Sequence, residues 1–161
     1  MSDTPEEKAL KGLGGWLALL GVQLVITPVR LLVYLAPLYS TFLTEGTWEA
    51  LTSPGQPAYH PLWGPFIIGE IAFNLVFLVA SCWLIFLFFK QRRTFPKAYI
   101  WVAVANFAFI VADALFIKLI DPTIESFDTD TLKEVARSGV ALLIWTPYLM
   151  LSKRVNATFI E

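Results

Sequence analysis

Apolar positions in this chain gather into four long stretches, about Leu13 to Leu38, Phe66 to Phe89, Ala98 to Ile120 and Val135 to Leu151, joined by short polar connections. A helix needs about 20 mainly apolar residues to cross roughly 30 Å of hydrocarbon, so each stretch predicts one membrane-spanning α-helix. The fold expected is an all-α membrane protein, a bundle of four transmembrane helices forming a single domain over residues 1–161.

The connections differ sharply in charge. Lys90 to Lys97 carries four cations and no acid, and Lys153 with Arg154 follows the last stretch. Lys and Arg are enriched on the cytoplasmic side of membrane proteins, which places these ends and both termini inside the cell. The opposite connections, Thr44 to Pro65 and Asp121 to Glu134, hold Glu45, Glu49, Asp121, Glu125, Asp128, Asp130 and Glu134 against Lys133 alone. The first of them, with Pro54, Pro57, Pro61 and Pro65 beside three glycines, reads as a turn region. Met1 to Lys11 is charged and precedes an apolar run longer than the roughly 7–15 residues of a signal-peptide core, so it reads as the lead-in to an uncleaved first span. Trp48, Tyr59 and Trp63 suit an outer aromatic belt, and Trp16, Tyr99 and Trp101 an inner one. Thr131-Leu132-Lys133-Glu134 fits a capping box at the start of the fourth helix.

Composition agrees with the pattern. The chain is 57% hydrophobic and 15% aromatic with a net charge of −1, and its mean hydropathy is +0.63. A soluble domain is roughly 45–50% apolar, so the lipid bilayer is the expected partner. The balanced charge leaves no basic surface for nucleic acid, and no nucleic-acid-binding motif is present. Cys82 is the one cysteine and lies in an apolar run, which excludes an intrachain disulfide and makes packing its expected role. Gly14 with Ala18 and Ala108 with Ala112 have the spacing for close helix contact, inside the bundle or in a homo-oligomer.

Four ionisable residues fall in or at the edge of the apolar stretches, one in each: Arg30, Glu70, Asp113 and Arg137. A charge at mid-bilayer costs about 2.5–3.5 kcal/mol on insertion scales, so such residues usually face the bundle interior, pair, and mark function. At about 1.5 Å per residue, Arg30 lies some 25 Å up from Leu13 and Asp113 roughly 22 Å up from Ala98, while Glu70 lies about one turn below the top of its helix. All reach the outer half, where two cations and two anions can form an internally neutral network. Helical spacing puts Gln23, Thr27 and Arg30 on one face, Glu70 and Asn74 on another, Asn106 and Asp113 on a third, and Arg137 with Ala141 and Tyr148 on a fourth. Pro28, Pro37 and Pro147 each remove a helix hydrogen bond, a break that is tolerated where neighbours or cavity water satisfy the backbone. Arg30, Glu70, Asn74, Asp113 and Arg137 are therefore the candidate ligand-binding residues. An equal reading makes the same charges a lock that fixes helix register. Lys118 is near enough to the surface to snorkel to water.

Little catalytic chemistry is present. His60 has no second His or Cys nearby in sequence, so zinc-ligand spacing is absent. Ser81 has no nucleophile-elbow motif and no histidine base, and no phosphate-binding glycine loop occurs. Glu70 and Asp113 could form an acid/base pair only if their pKa values were split, and two neighbouring arginines would hold both ionised. No enzyme activity, cofactor or metal is expected.

Lys11-Gly12-Leu13-Gly14-Gly15-Trp16-Leu17, Pro28 with Arg30, Phe95-Pro96, Trp145-Thr146-Pro147-Tyr148, and Ser152-Lys153-Arg154-Val155-Asn156-Ala157-Thr158-Phe159 form a distinctive set. In these residues the chain resembles the bacterial inner-membrane domain-of-unknown-function family 2569 over nearly its whole length. The resemblance implies a multi-pass inner-membrane location and four spans, and it brings no catalytic residues. The four-span count sets the chain apart from five-span tryptophan-rich sensory proteins, and the place of Glu70 in the second stretch sets it apart from small multidrug transporters. Two functions are expected on this basis. One is binding or transport of a small polar or amphiphilic ligand in an outer-leaflet charged pocket, by a homo-oligomer if transport is the task. The other is an accessory role, in which the charges only stabilise the bundle and the protein docks a membrane-protein partner.

Overall fold

The computed structural model describes residues 11–160 and is helical throughout its ordered elements. These are α1 (Trp16–Thr44), α2 (Thr47–Thr52), α3 (Trp63–Phe89), α4 (Phe95–Ile120), α5 (Thr129–Leu151) and α6 (Lys153–Thr158). Among the described residues, α1, α3 and α4 are long and apolar enough to cross a membrane. The fourth expected span, α5, has 23 residues, but Asp130, Lys133, Glu134 and Arg137 occupy its first turns and make it the least apolar of the long helices. The charged segment 1–10, expected as a cytoplasmic lead-in, lies outside the described residues.

Local chemistry moves several helix ends from their expected places. α4 starts at Phe95 rather than Ala98, because Pro96 sits in the first turn, where a missing N–H leaves no bond unmade. The turn before it is closed by two bonds, from the Gln91 amide to the Phe88 carbonyl and from the Arg92 amide to the Leu87 carbonyl, both 3.0 Å. This pair is the Schellman signature, and Gln91 takes the left-handed conformation (φ 52°) that glycine usually supplies there. α5 starts at Thr129, capped by the Asp128 carboxylate, which accepts the Thr131 amide at 2.8 Å. The capping box expected from Thr131 is thereby displaced: an aspartate three residues earlier offers a negative charge to the same first-turn amides. Between Thr44 and Pro65, where only turns were expected, the proline-free run Thr47–Thr52 forms α2.

Consecutive long helices pack side by side: α1 on α3, α3 on α4, and α4 on α5. α1 and α5, first and last in this row, make no extended contact. They meet at one end only, which we call the basic end because it carries the Lys90–Lys97 turn. There the Trp145 indole donates to Gln23 Oε1 at 2.8 Å, and the rings of Trp16 and Trp145 meet edge to face at 6.3 Å.

The hydrophobic core is confined to that end. It joins Leu17 and Leu20 of α1, Phe88 of α3, Phe95 and Tyr99 of α4, Leu149 of α5, and Val155 and Phe159 at the C-terminus. The Phe159 ring stacks on Phe95 at 4.8 Å and leans on Phe88 at 5.8 Å. Beside it, the buried Thr158 hydroxyl accepts from the Gly12 amide (3.2 Å) and donates to the Gly12 carbonyl (3.3 Å). At Gly21 a ring of α3 lies against α1; a Cβ there would stand 2.8 Å from the Phe88 ring. Of the expected small-residue pairs, Ala18, Ala108 and Ala112 are exposed, Ala112 lining the cavity beside Asp113, and Gly14 lies against Arg154. Cys82 also faces outward rather than packing inside. Tyr99, expected in an aromatic belt, is buried against Phe95, whereas Trp16 and Trp101 are exposed as a belt requires.

Two measurements test these contacts. Phe159→Ala should lower stability by about 3 kcal/mol, as for other buried aromatic truncations, read as a fall in the denaturation midpoint in detergent. The Thr131 hydroxyl and amide hold the Asp128 carboxyl below the usual carboxylate range. Its contribution to the first turn of α5 is therefore complete above about pH 4 and lost as pH falls through the lowered folded-state value. Amide-exchange protection at Thr131 should drop on such acidification, and should be low at every pH in Asp128→Ala.

Candidate functional site

The opposite, acidic end is built differently. Its buried side chains are few, chiefly Leu35, Ile67, Ala114 and Ile120. α3 and α4 are held together there by ring pairs, Phe73 with Phe109 at 3.6 Å and Phe66 with Phe116 at 5.7 Å, both stacked. Between these pairs lies a cavity of about 250 Å³ walled by Phe66, Phe109, Phe116, Gly69, Glu70 and Asp113.

Glu70 and Asp113 thus share one cavity, as the depth argument expected. Each is half-buried on the inward face of its helix, and they stand close enough for their charges to act on each other. The neutral network does not form. Among the described residues none of the four expected charges makes an ion pair with another, and the pair present is Lys133 with Asp130 at 2.8 Å on the surface of α5.

The reason lies in where the arginines point. Arg30 is exposed and lies on the flank of α1 that carries Gln23, the residue that bonds Trp145 of α5. It therefore lines the gap between α1 and α5 above the Gln23–Trp145 contact. On α5, Gly139 faces α4, since a Cβ there would lie 3.4 Å from Phe107. Arg137 precedes Gly139 by two residues, a rotation of about 200°, which turns it away from α4 and onto the exposed stripe that carries Ile144 seven residues on. Both guanidiniums are thus exposed, and neither pairs with Glu70 or Asp113 among the described residues.

Asn74 lies about one turn below Glu70, and its amide donates to the Tyr39 hydroxyl of α1 at 3.4 Å. Tyr34 of α1 is within electrostatic reach of Glu70 and Glu134, and Glu134 in turn of Asp113. Glu134 was expected as an outer-connection acid and as the glutamate of a capping box. It stands eleven residues before the buried Trp145, about three helical turns, and so shares its inward face. It is exposed there, at the acidic end of that face. The signal for it was the helical period, once the true start of α5 is known.

The loop next to the cleft is pinned by Asp121, whose carboxylate accepts from the Thr123 hydroxyl (2.6 Å) and amide (2.9 Å). Those bonds hold its carboxyl below the usual range. No three acidic, histidine or cysteine side chains among the described residues converge as metal ligands would. What the arrangement offers is an aromatic-walled cleft with two inward carboxylates and a third within electrostatic reach of Asp113.

Comparison with known proteins sets this geometry in a family. Residues 10–160 match the family model described as "Protein of unknown function (DUF2569)". The chain is 35% identical over 156 residues to inner membrane protein YdgK of Escherichia coli K12, an alignment covering 92% of this chain and 94% of that protein. No solved structure matches it. The match runs from the glycine-rich start of α1 to the tail that bonds back onto it, and the chain belongs to the DUF2569 family.

Proposed function

We propose that this protein is a polytopic inner-membrane protein with four spans and both termini in the cytoplasm, and that its acidic cleft binds a small amphiphile through a positively charged group. One observation carries the binding reading: Glu70 and Asp113 share a cavity of about 250 Å³ with aromatic walls and with no ion-pair partner among the described residues. Two carboxylates so placed in a spanning bundle are costly unless something compensates them. A cationic head does so, and the faces of Phe66, Phe109 and Phe116 add cation–π attraction. Arg30, exposed on the flank of α1 that carries Gln23, suits an anionic or polar part of the same molecule. Transport is a further step, because the packed core at the basic end blocks passage until it opens.

Four spans are supported by α5, which at about 1.5 Å per residue is some 34 Å long and packs along α4. Cytoplasmic termini are supported by the cations of the Lys90–Lys97 turn. The sidedness is tested by single cysteines in a Cys82→Ser background. Glu125→Cys should react with a membrane-impermeant maleimide in intact cells, and Arg93→Cys only after permeabilisation; the reverse pattern refutes the orientation.

Benzyltrimethylammonium tests the pocket. Titrated into protein in nanodiscs and followed by tryptophan fluorescence, it should bind the parent, and Glu70→Gln or Asp113→Asn should weaken binding about tenfold, ~1.4 kcal/mol. Should both variants bind like the parent and change only in thermal stability, the carboxylates serve packing and the accessory role takes precedence.

A further inference from the structure

A second concavity lies on the outside of the bundle at the basic end, remote from the carboxylates. It is a groove of about 420 Å³ between α1 and α3, lined by Leu13, Ala18, Gly21, Val22, Phe88 and Phe89 among others, with almost no polar surface. Gly21 creates its floor by admitting the Phe88 ring against the α1 backbone. Along α1 the groove runs from Ala18 to Ile26, roughly 12 Å, within the ~15 Å depth of one leaflet's hydrocarbon, and Leu13 extends it past the helix start.

Cations bracket its mouth. Phe89 is followed directly by Lys90, which is exposed at the end of α3. Leu13 is followed by Gly14, and Arg154 lies over it, its Nη1 3.1 Å from where a Cβ on Gly14 would stand. Arg154 is half-buried, yet it has no ion-pair partner among the described residues, whose acids all lie in the other half of the molecule. Beneath it, α1 begins at Gly15 with no side-chain cap on its first-turn amides, and such amides favour an anion.

We infer that this groove is a binding site for one anionic phospholipid of the adjacent leaflet, an acyl chain lying along Ala18, Gly21 and Val22 and the headgroup phosphate held by Arg154 and Lys90. The lining selects a hydrocarbon chain, the depth fits within a single leaflet, and the two cations at the mouth select an anionic headgroup over a zwitterionic one. The groove is separate from the acidic cleft, and the inference stands without it.

The test is native mass spectrometry of the full chain released from nanodiscs of equal phosphatidylglycerol and phosphatidylethanolamine. The parent should retain phosphatidylglycerol over phosphatidylethanolamine by about tenfold, in line with two surface cations acting on one headgroup. The double variant Lys90→Gln with Arg154→Gln should bring the ratio close to one. Ala18→Trp, which fills the groove from an exposed position, should remove the retained lipid with the helical circular dichroism unchanged. Glycerophosphoglycerol, the headgroup without its chains, should not displace the bound lipid. A parent that retains the two lipids equally, a ratio that survives both variants, or displacement by the chainless headgroup would overturn the assignment.

Discussion

The packing of the C-terminal tail onto the start of α1 governs the rest of this structure. A single hydroxyl, that of Thr158, meets both the amide and the carbonyl of Gly12, residues 146 positions apart in sequence. Phe159 is carried with it into the space between Phe88 and Phe95. Because α1 and α5 share no long interface, these contacts and the Gln23–Trp145 bond are what close the row of helices. A polar group buried beside aromatic rings is costly unless bonded, and here the backbone of one end satisfies the side chain of the other.

Closure at one end leaves the other free to stay open. The aromatic core absorbs the apolar faces of all the long helices near the basic turn, and little equivalent material remains near Glu70 and Asp113. The two ends therefore obey different physics. At the basic end dispersion and burial dominate; at the acidic end half-buried carboxylates, ring pairs and a cavity coexist. A lock of neutralising ion pairs would have tightened the acidic end, but both arginines are exposed, and the carboxylates share a cavity without an ion pair to either among the described residues.

The depth of the charges was legible because rise per residue is fixed in a helix, and Glu70 and Asp113 do meet at one level. Their grouping with Arg30 and Arg137 was not, since facing depends on which neighbour each helix flank meets. Glu134 shows the same limit: counted as an outer-connection acid and the glutamate of a capping box, it came within electrostatic reach of Asp113 once Asp128 set the start of α5 two residues before Thr131. Tyr34 and Tyr39 carried no sequence signal beyond lying in an apolar stretch, and only the position of α3 and α5 beside them gives them neighbours.

By itself the sequence determined the membrane setting, the number and rough limits of the long helices, the unequal charge of the two ends, and the family signature. Each of these is set by local composition and by the fixed geometry of a helix in hydrocarbon. Only the tertiary structure decided that the two halves of the signature bond to each other, that the core lies at one end, and that the buried charges are arranged as a cleft rather than a lock. Those outcomes depend on contacts between residues distant in the chain, and periodicity along a helix does not specify which partner will stand opposite it.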